Sequence, residues 1–227
     1  MPMKKGNRTK KTKSKSKNRP SKSLKDPNSY FFTRKKQQIV PLVQGTTGWT
    51  NTSNGGIAKA MVYSLQELND NTDFKNLFKY YRINAARVQI YFSTTQSDLD
   101  EVGNQSNHAL ICMTDINQNG STSGLDTQNF LDSQTVKIRQ CQNRGKPFEF
   151  YCKLKQANQI YASTVPPNTD YTLMKPKFVA TIEDTTPHYG LKVLLERISG
   201  EVMTSNMSNS QYARIVTTYY IECRKVH

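Results

Sequence analysis

Positive charge is concentrated at the beginning of this chain, and this limits which part of it can fold. Residues 1–36 contain 14 Lys or Arg and one acidic residue, whereas residues 37–227 contain 18 basic and 16 acidic residues. Leu24 is the one sizeable aliphatic residue between Met3 and Tyr30, so this stretch cannot bury enough apolar surface to offset the entropy of ordering. We therefore predict a disordered basic arm, residues 1–36, followed by one folded domain, residues 37–227.

The basic arm has the composition of a nucleic-acid-binding tail. A flexible polycation gains affinity by releasing counterions from phosphates, which requires no defined geometry. Lysine outnumbers arginine 11 to 3 in this arm, so we expect salt-sensitive binding that is indifferent to base sequence. The predicted nucleic-acid-binding residues are Lys4, Lys5, Arg8, Lys10, Lys11, Lys13, Lys15, Lys17, Arg19, Lys22, Lys25, Arg34, Lys35 and Lys36.

Two other interpretations of the basic arm remain. It could be only a solubilising tail, or it could be a nuclear-import signal, which is compatible with nucleic-acid binding. The residues predicted to carry an import signal are Lys10, Lys11, Lys13, Lys15, Lys17 and Arg19.

Short alternating segments make up the rest of the chain. Segments 148–155 and 212–224 place apolar residues at every second position, which is the period of a strand. A short helix capped by Asp73 is expected over residues 74–79. Further candidate strands are 37–44, 57–68 (which also fits a helical stripe), 108–114, 135–140, 177–182 and 191–198. Eight or nine strands without a long helix predict an all-β sandwich or jelly roll.

One strand changes its apolar phase. In residues 80–92, Tyr81 and Ile83 alternate with polar residues, but Val88 and Ile90 continue the alternation on the other parity. One face can stay buried through such a change only if an extra residue is inserted, so we predict a bulge near Ala85–Ala86.

Aromatic residues lie next to the basic charge. Tyr30, Phe31 and Phe32 precede Arg34, and they could stack on unpaired bases or anchor the arm in the core. Trp49 lies in a polar loop and could stack on a base or pack at a subunit contact. The sequence leaves these alternatives open.

Motifs for catalysis or metal binding do not stand out. GxxxxGK[ST], GxGxxG, HExxH and GxSxG are absent, and only coexistence supports a cysteine nucleophile paired with His108 or His188. Five residues fit the spacing of a calcium loop, but a strand precedes them and such residues also favour turns: Asp115, Asn117, Asn119, Gly120 and Asp126. We therefore expect no enzymatic activity, no cofactor and no metal.

Cysteine usage and hydropathy place the protein inside the cell. No CxxC pair, secretory signal or apolar run long enough for a membrane span is present, so no membrane insertion is expected. We expect reduced thiols, most of them in the core, at Cys112, Cys141, Cys152 and Cys223.

Segment 78–92, FKYYRINAARVQIYF, resembles the F-x-Y-Y-R-I-x-x-V/A-x-V-x-F strand of circovirus-like capsid proteins. Segments 58–68, 146–155, 191–198 and 212–224 resemble other strands of that family in the same order. The likeness extends over roughly residues 30–227, with the basic arm in front. The arm departs from the family, in which such arms are commonly rich in arginine.

This resemblance implies a fold and a function. It implies an eight-stranded viral jelly roll, with two facing four-stranded antiparallel sheets, that assembles into a T=1 icosahedral shell of about 60 copies. It further implies a virion that packages circular single-stranded DNA, with the arm on the inner surface. Nuclear import by host machinery, a host nuclear location and an unidentified host-cell receptor follow from the same resemblance.

Two alternatives stay open from the residues. Phosphate contacts do not distinguish DNA from RNA, so the chain could be the capsid protein of a small RNA virus. It could also be a cellular single-stranded nucleic-acid-binding β-barrel protein. That protein would carry a discrete basic groove with exposed aromatic residues on the folded domain.

Overall fold

The chain forms two antiparallel sheets that enclose one main apolar core. The computed structural model describes residues 28–92, 98–99, 105–106, 110–117, 120, 123–141, 147–162, 169–203 and 212–226. Its helical segments are a 3₁₀ turn (Leu65–Glu67), α1 (Asn71–Leu77) and α2 (Thr127–Leu131). Its strands are β1 (Ser29–Pro41), β2 (Thr50–Asn51), β3 (Ile57–Tyr63), β4 (Phe78–Phe92), β5 (Asp98–Leu99), β6 (Gln105–Ser106), β7 (Leu110–Ile116), β8 (Lys137–Cys141), β9 (Phe148–Lys153), β10 (Lys155–Ala162), β11 (Thr169–Met174), β12 (Val179–Ala180), β13 (His188–Arg197) and β14 (Tyr212–Val226).

Eight of these strands have the order of a jelly roll. The first sheet, sheet A, has the order β1-β14-β4-β9, and the second, sheet B, has the order β3-β13-β7-β8. Along the chain, these strands alternate between the sheets except for β7 and β8, which are both in sheet B, and this is the double Greek-key pattern of viral jelly rolls. Strand β12 extends sheet A, strands β2, β10 and β11 extend sheet B, and β5 pairs with β6. The predicted fold class is confirmed.

Strand β4 contains the predicted irregularity. Opposite β14, Ala85 pairs with Tyr220 and Ile83 pairs with Ile221, so Asn84 is the extra residue of a bulge. The insertion changes the parity of the core-facing residues from Tyr81 and Ile83 before it to Ala86, Val88 and Ile90 after it.

Strand β1 begins earlier than the predicted boundary after residue 36. It pairs with β14 from Ser29 to Pro41, and the ring of Phe32 lies 5.4 Å from that of Phe74 and 5.3 Å from that of Phe78. Backbone pairing with a distant strand, which local composition does not reveal, orders residues 29–36, which carry three of the 14 cations of the predicted arm. The expected disorder is therefore wrong for residues 29–36, and residues 1–27 lie outside the described residues.

Helix α1 also differs from the expected one. Asp70, not Asp73, is the residue that precedes the first turn, and neither the start nor the end agrees with residues 74–79. Phe74, in the middle of the observed helix, packs edge-on against Phe32. Residues 78 and 79 belong to β4 instead.

His188 joins the two sheets from a fully buried position. Its Nδ1 donates to the carbonyl of Thr186 (3.1 Å), and its Nε2 accepts from the amide of Gln156 (2.9 Å) and from the backbone N–H of Ile83 (3.4 Å). The amide orientation follows from Gln156 Oε1, which accepts from the backbone N–H of Lys177. These contacts use the neutral imidazole, and burial lowers the pKa of His188 to about 4.

Acidification should therefore destabilise the fold through His188. The unfolded chain binds a proton at this residue below a pH of about 6.5 and the folded chain only below about 4. The free energy of unfolding should decrease as pH falls through this window, with a slope approaching about 1.4 kcal/mol per pH unit from this residue. Urea unfolding of the unassembled protein measures this slope.

Two variants isolate the histidine from the carboxylates that titrate in the same window. His188→Gln should show a shallower pH dependence, whereas His227→Gln should keep that of the wild type. Equal slopes for the wild type and His188→Gln would contradict this role of His188.

Candidate nucleic-acid interface

The outer faces of the two sheets differ in how far other parts of the chain cover them. The outer face of sheet B carries a second apolar cluster, in which Leu125 and the α2 residue Phe130 pack on Ala58, Met113 and Leu194. Hydrogen bonds from Thr52 and Thr127 to the buried carboxylate of Glu196 fasten this covering segment. This face is therefore closed by the protein itself.

Apart from Phe178 at one end, the outer face of sheet A, hereafter the open face, has no such apolar cover among the described residues. Strand pairing arranges its side chains in cross-strand rows. From one end to the other, the rows are Ile39-Arg214-Tyr91, Gln37-Val216-Gln89-Glu149, Lys35-Thr218-Arg87-Tyr151, Thr33-Tyr220-Ala85-Lys153, Phe31-Glu222-Arg82 and Ser29-Arg224-Tyr80.

The open face is positively charged and rich in tyrosine. Six cations lie on it against two carboxylates, which leaves a net charge of +4. The remainder of the folded part is nearly neutral, since residues 37–227 carry only +2 in total. Cations interleaved with exposed aromatic rings are typical of surfaces that bind unpaired nucleic acid.

The centre of the open face is built around a small residue. Because Ala85 has only a methyl group, the rings of Tyr151 and Tyr220 meet across β4, with 5.9 Å between their centroids. Tyr151 is 62% exposed, so its ring can stack on a base. Beside it, Arg87 donates to Glu149, and this pair holds the pKa of the Glu149 carboxyl below its usual value.

At the end of the open face near Ser29, an ion pair holds the charged side chains in place. Arg82 donates from Nε (2.9 Å) and Nη2 (2.6 Å) to Oε2 of Glu222, which also accepts from Asn84. The ring of Phe178 lies over both Arg82 and Arg224, 4.4 and 4.1 Å from the guanidinium carbons. Burial opposes ionisation of Glu222, but these hydrogen bonds outweigh it and keep its pKa below the usual value.

Three of the predicted binding residues lie in the described part of the chain, and they do not share one surface. Lys35 is exposed on the open face, as expected. Arg34 points to the other side of β1, where it pairs with Asp70 and lies 5.3 Å from the ring centre of Phe74. Lys36, on the same side as Arg34, pairs with Glu67 at 3.4 Å.

The assignment of Arg34 and Lys36 to nucleic-acid binding is therefore not supported by their contacts. Strand alternation turns them inward, where carboxylates already neutralise them. The remaining predicted residues, from Lys4 to Lys25, lie outside the described residues, as does the predicted import signal.

Most residues of the open face were not predicted from the sequence. The missed residues are Arg82, Arg87, Tyr91, Tyr151, Lys153, Tyr212, Arg214, Tyr220 and Arg224. Alternation does place the polar residues of β4 and β14 opposite the apolar ones, so a signal was present. The sequence lacks the register that brings these strands side by side.

Other candidate chemistry is absent from the described part of the chain. Asp115 accepts hydrogen bonds from Ser133 and Thr135, while Asp126 binds Ser53, so the calcium-loop carboxylates have separate partners. No group of three or more potential metal ligands occurs among the described residues, and no described helix has the length and apolar character to cross a membrane.

The cysteines that the structure describes are core residues, as predicted. Cys112, Cys152 and Cys223 are free and buried, and burial raises the pKa of Cys112 to about 12. A protonated thiol is a poor nucleophile. Trp49 is buried in the main core, with the Lys59 amine 6.0 Å from its ring centre, so it offers no open stacking surface.

Comparisons with known proteins agree with the jelly-roll order. A family model described as circovirus capsid protein matches residues 8–227. The capsid protein of BFDV, solved as a 60-mer, has a TM-score of 0.56 and 15% identity, with 87% of this chain and 93% of that chain covered. The same protein solved as a decamer has a TM-score of 0.46 and 16% identity, with 87% and 98% covered. A comparison of the sequence with curated proteins found no match.

The two acidic residues of the open face should differ in their importance for stability. Glu222→Gln should lower the free energy of unfolding by about 2–3 kcal/mol, because Arg82 would lose its partner in a mostly buried pair. Glu149→Gln makes the same change of charge on the same face but removes only an exposed ion pair, so it should change the free energy of unfolding little. Chemical unfolding of both variants tests this, and equal effects would contradict the stabilising role of the Arg82–Glu222 ion pair.

Proposed function

Because the chain belongs to the circovirus capsid protein family and is thus a structural protein of the virion, we propose a more specific function for it. The protein self-assembles into a T=1 icosahedral shell of about 60 copies and packages circular single-stranded DNA through its basic N-terminal segment. The observation that carries this proposal is the position of residues 1–27, which lead directly into the edge strand of the cationic sheet.

Charge supports the proposed packaging. Residues 1–27 contain 11 cations and one carboxylate, and Arg34 and Lys36 are left out because they pair with acidic residues. With a net charge of +10 per chain, about 60 copies would bring on the order of 600 positive charges to the interior. This could neutralise a similar number of phosphates without any defined contact geometry.

The placement of the chain supports the same conclusion. The N-terminal segment joins β1 at the end of the open face where Ser29 is in one row with Arg224 and Tyr80. In the proposed shell, both the open face and the segment face the interior. The structurally similar BFDV capsid protein was solved as a 60-mer, which is the copy number proposed for this shell.

We further propose that the nuclear-import signal is carried by the residues between Lys10 and Arg19, so that the protein acts in the host nucleus as well as in the virion. Host import machinery and a host-cell receptor would then be partners. Six cations occur within these ten residues, which is the density typical of import signals.

Of the two alternatives, the cellular β-barrel protein predicted a basic surface with exposed aromatic residues, and the open face has this character. The jelly-roll strand order and the family membership nevertheless favour the capsid. A small RNA virus differs from the proposal only in cargo, so sequencing the packaged nucleic acid separates the two.

Removal of residues 2–27 should abolish packaging without unfolding the domain. The deletion takes away 11 cations but no residue of β1. We expect particles, or capsid subunits with an unchanged melting temperature, that contain little nuclease-protected nucleic acid. The ratio of absorbance at 260 and 280 nm of nuclease-treated particles measures this.

A shuffled segment with the same composition is the matched control. It should restore packaging, since counterion release depends on charge and not on order. Unchanged nucleic-acid content in the deletion, or loss of packaging in the shuffled variant, would contradict the proposal.

A further inference from the structure

We propose that the open face contains a subsite for unpaired nucleic acid, in which Tyr91 and Tyr212 stack on a base and Arg214 binds a phosphate. This rests on the proposed function, since it requires the open face to meet packaged nucleic acid. It goes beyond it by assigning part of the binding to the folded domain and to unpaired bases.

The subsite is a depression at the end of the open face away from Ser29. It has a volume of about 740 Å³ and is lined by Gln37, Ile39, Tyr91, Phe92, Tyr212, Arg214 and Val216. That volume is in the range of small-molecule pockets. The described part of the lining is mainly apolar and aromatic, with one cation.

Strand register places the cation between apolar neighbours. Arg214 of β14 is directly opposite Ile39 of β1 and Tyr91 of β4. Tyr212 lies two residues before Arg214, on the same side of β14. Tyr91 is 38% exposed and Tyr212 is 44% exposed. Both tyrosines therefore present surface to the solvent next to Arg214.

Charge identifies the occupant. Among the described residues that line the depression none is acidic, and none of the described carboxylates forms an ion pair with Arg214. The same face continues with Lys35, Arg87 and Lys153, so a ligand that extends from the depression meets further cations. A polyanion with flat apolar groups fits this pattern, and single-stranded nucleic acid is such a ligand.

The N-terminal segment of the chain does not fit as the occupant. Residues 1–27 contain no aromatic residue and carry a net charge of +10, so the cationic face would repel them. A second copy of the chain could cover an apolar depression, but it would have to place a carboxylate against Arg214. That arrangement is an outcome of the test below.

Duplex nucleic acid also fits poorly. Its bases are stacked on one another and cannot lie against Tyr91 or Tyr212 without unstacking. The subsite therefore predicts that the shell protein binds single strands in preference to duplexes, a preference that counterion release alone does not give.

Photo-crosslinking with the full-length protein tests the subsite. Nucleic-acid-free protein, prepared by nuclease treatment and high salt, is mixed with a thymidine 12-mer that carries 5-iododeoxyuridine, irradiated and digested for mass spectrometry. We expect crosslinks at Tyr91 or Tyr212, and we expect them to disappear when the oligonucleotide is annealed to its complement.

Variants add a quantitative readout. The double variant Tyr91→Leu/Tyr212→Leu should bind the unlabelled 12-mer about tenfold more weakly, in the range for loss of one base–aromatic stack, with unchanged duplex affinity. Tyr91→Phe/Tyr212→Phe keeps both rings and should bind like the wild type. Arg214→Gln should reduce the slope of log affinity against log salt by about the contribution of one phosphate.

Each other outcome contradicts the subsite. These outcomes are crosslinks confined to other regions, equal losses for single strand and duplex, and Leu variants that lose particles but keep oligonucleotide affinity, which would indicate a subunit contact. Failure of the proposed function looks different, because the deletion of residues 2–27 would then leave packaging intact whatever the tyrosine variants do. Equal melting temperatures of all variants serve as the folding control.

Discussion

The pairing of β14 on both of its edges is the interaction on which the rest of the structure depends. This strand pairs with β1 from residue 212 to 224 and with β4 from residue 213 to 226. Since alternate residues of a strand point to opposite faces, one strand supplies both the core and the open face. Ile215, Tyr219 and Ile221 are buried in the core, while Arg214 and Tyr220 are on the other side.

The outer faces of the two sheets differ in cover and charge, so the two sides of the domain are not equivalent. Sheet B is covered by α2, whose Phe130 completes a second apolar cluster. Sheet A keeps an uncovered surface with a net charge of +4 and continues at its edge into the most basic part of the sequence. A capsid protein needs such a difference, because one of its sides must meet nucleic acid and another must meet solvent.

The fold was more predictable than the candidate site. Periodicity located the long strands, and the phase change in 80–92 even located the bulge, because both depend on local alternation. The start of β1 at Ser29 and the inward turn of Arg34 were missed, because each depends on a distant partner: β14 for the first and Asp70 for the second. The open face required the register of four strands, so its cations appeared in the sequence only as polar residues between apolar ones.

The central proposal is that the open face of sheet A lines the interior of a closed shell and contacts packaged nucleic acid. Cryo-electron microscopy of nuclease-treated particles of the full-length protein tests this most directly. We expect closed particles with density for nucleic acid against the rows that contain Lys35, Arg87 and Arg214. Particles in which this face lies on the outer surface or is buried between subunits, with nucleic-acid density elsewhere, would contradict it.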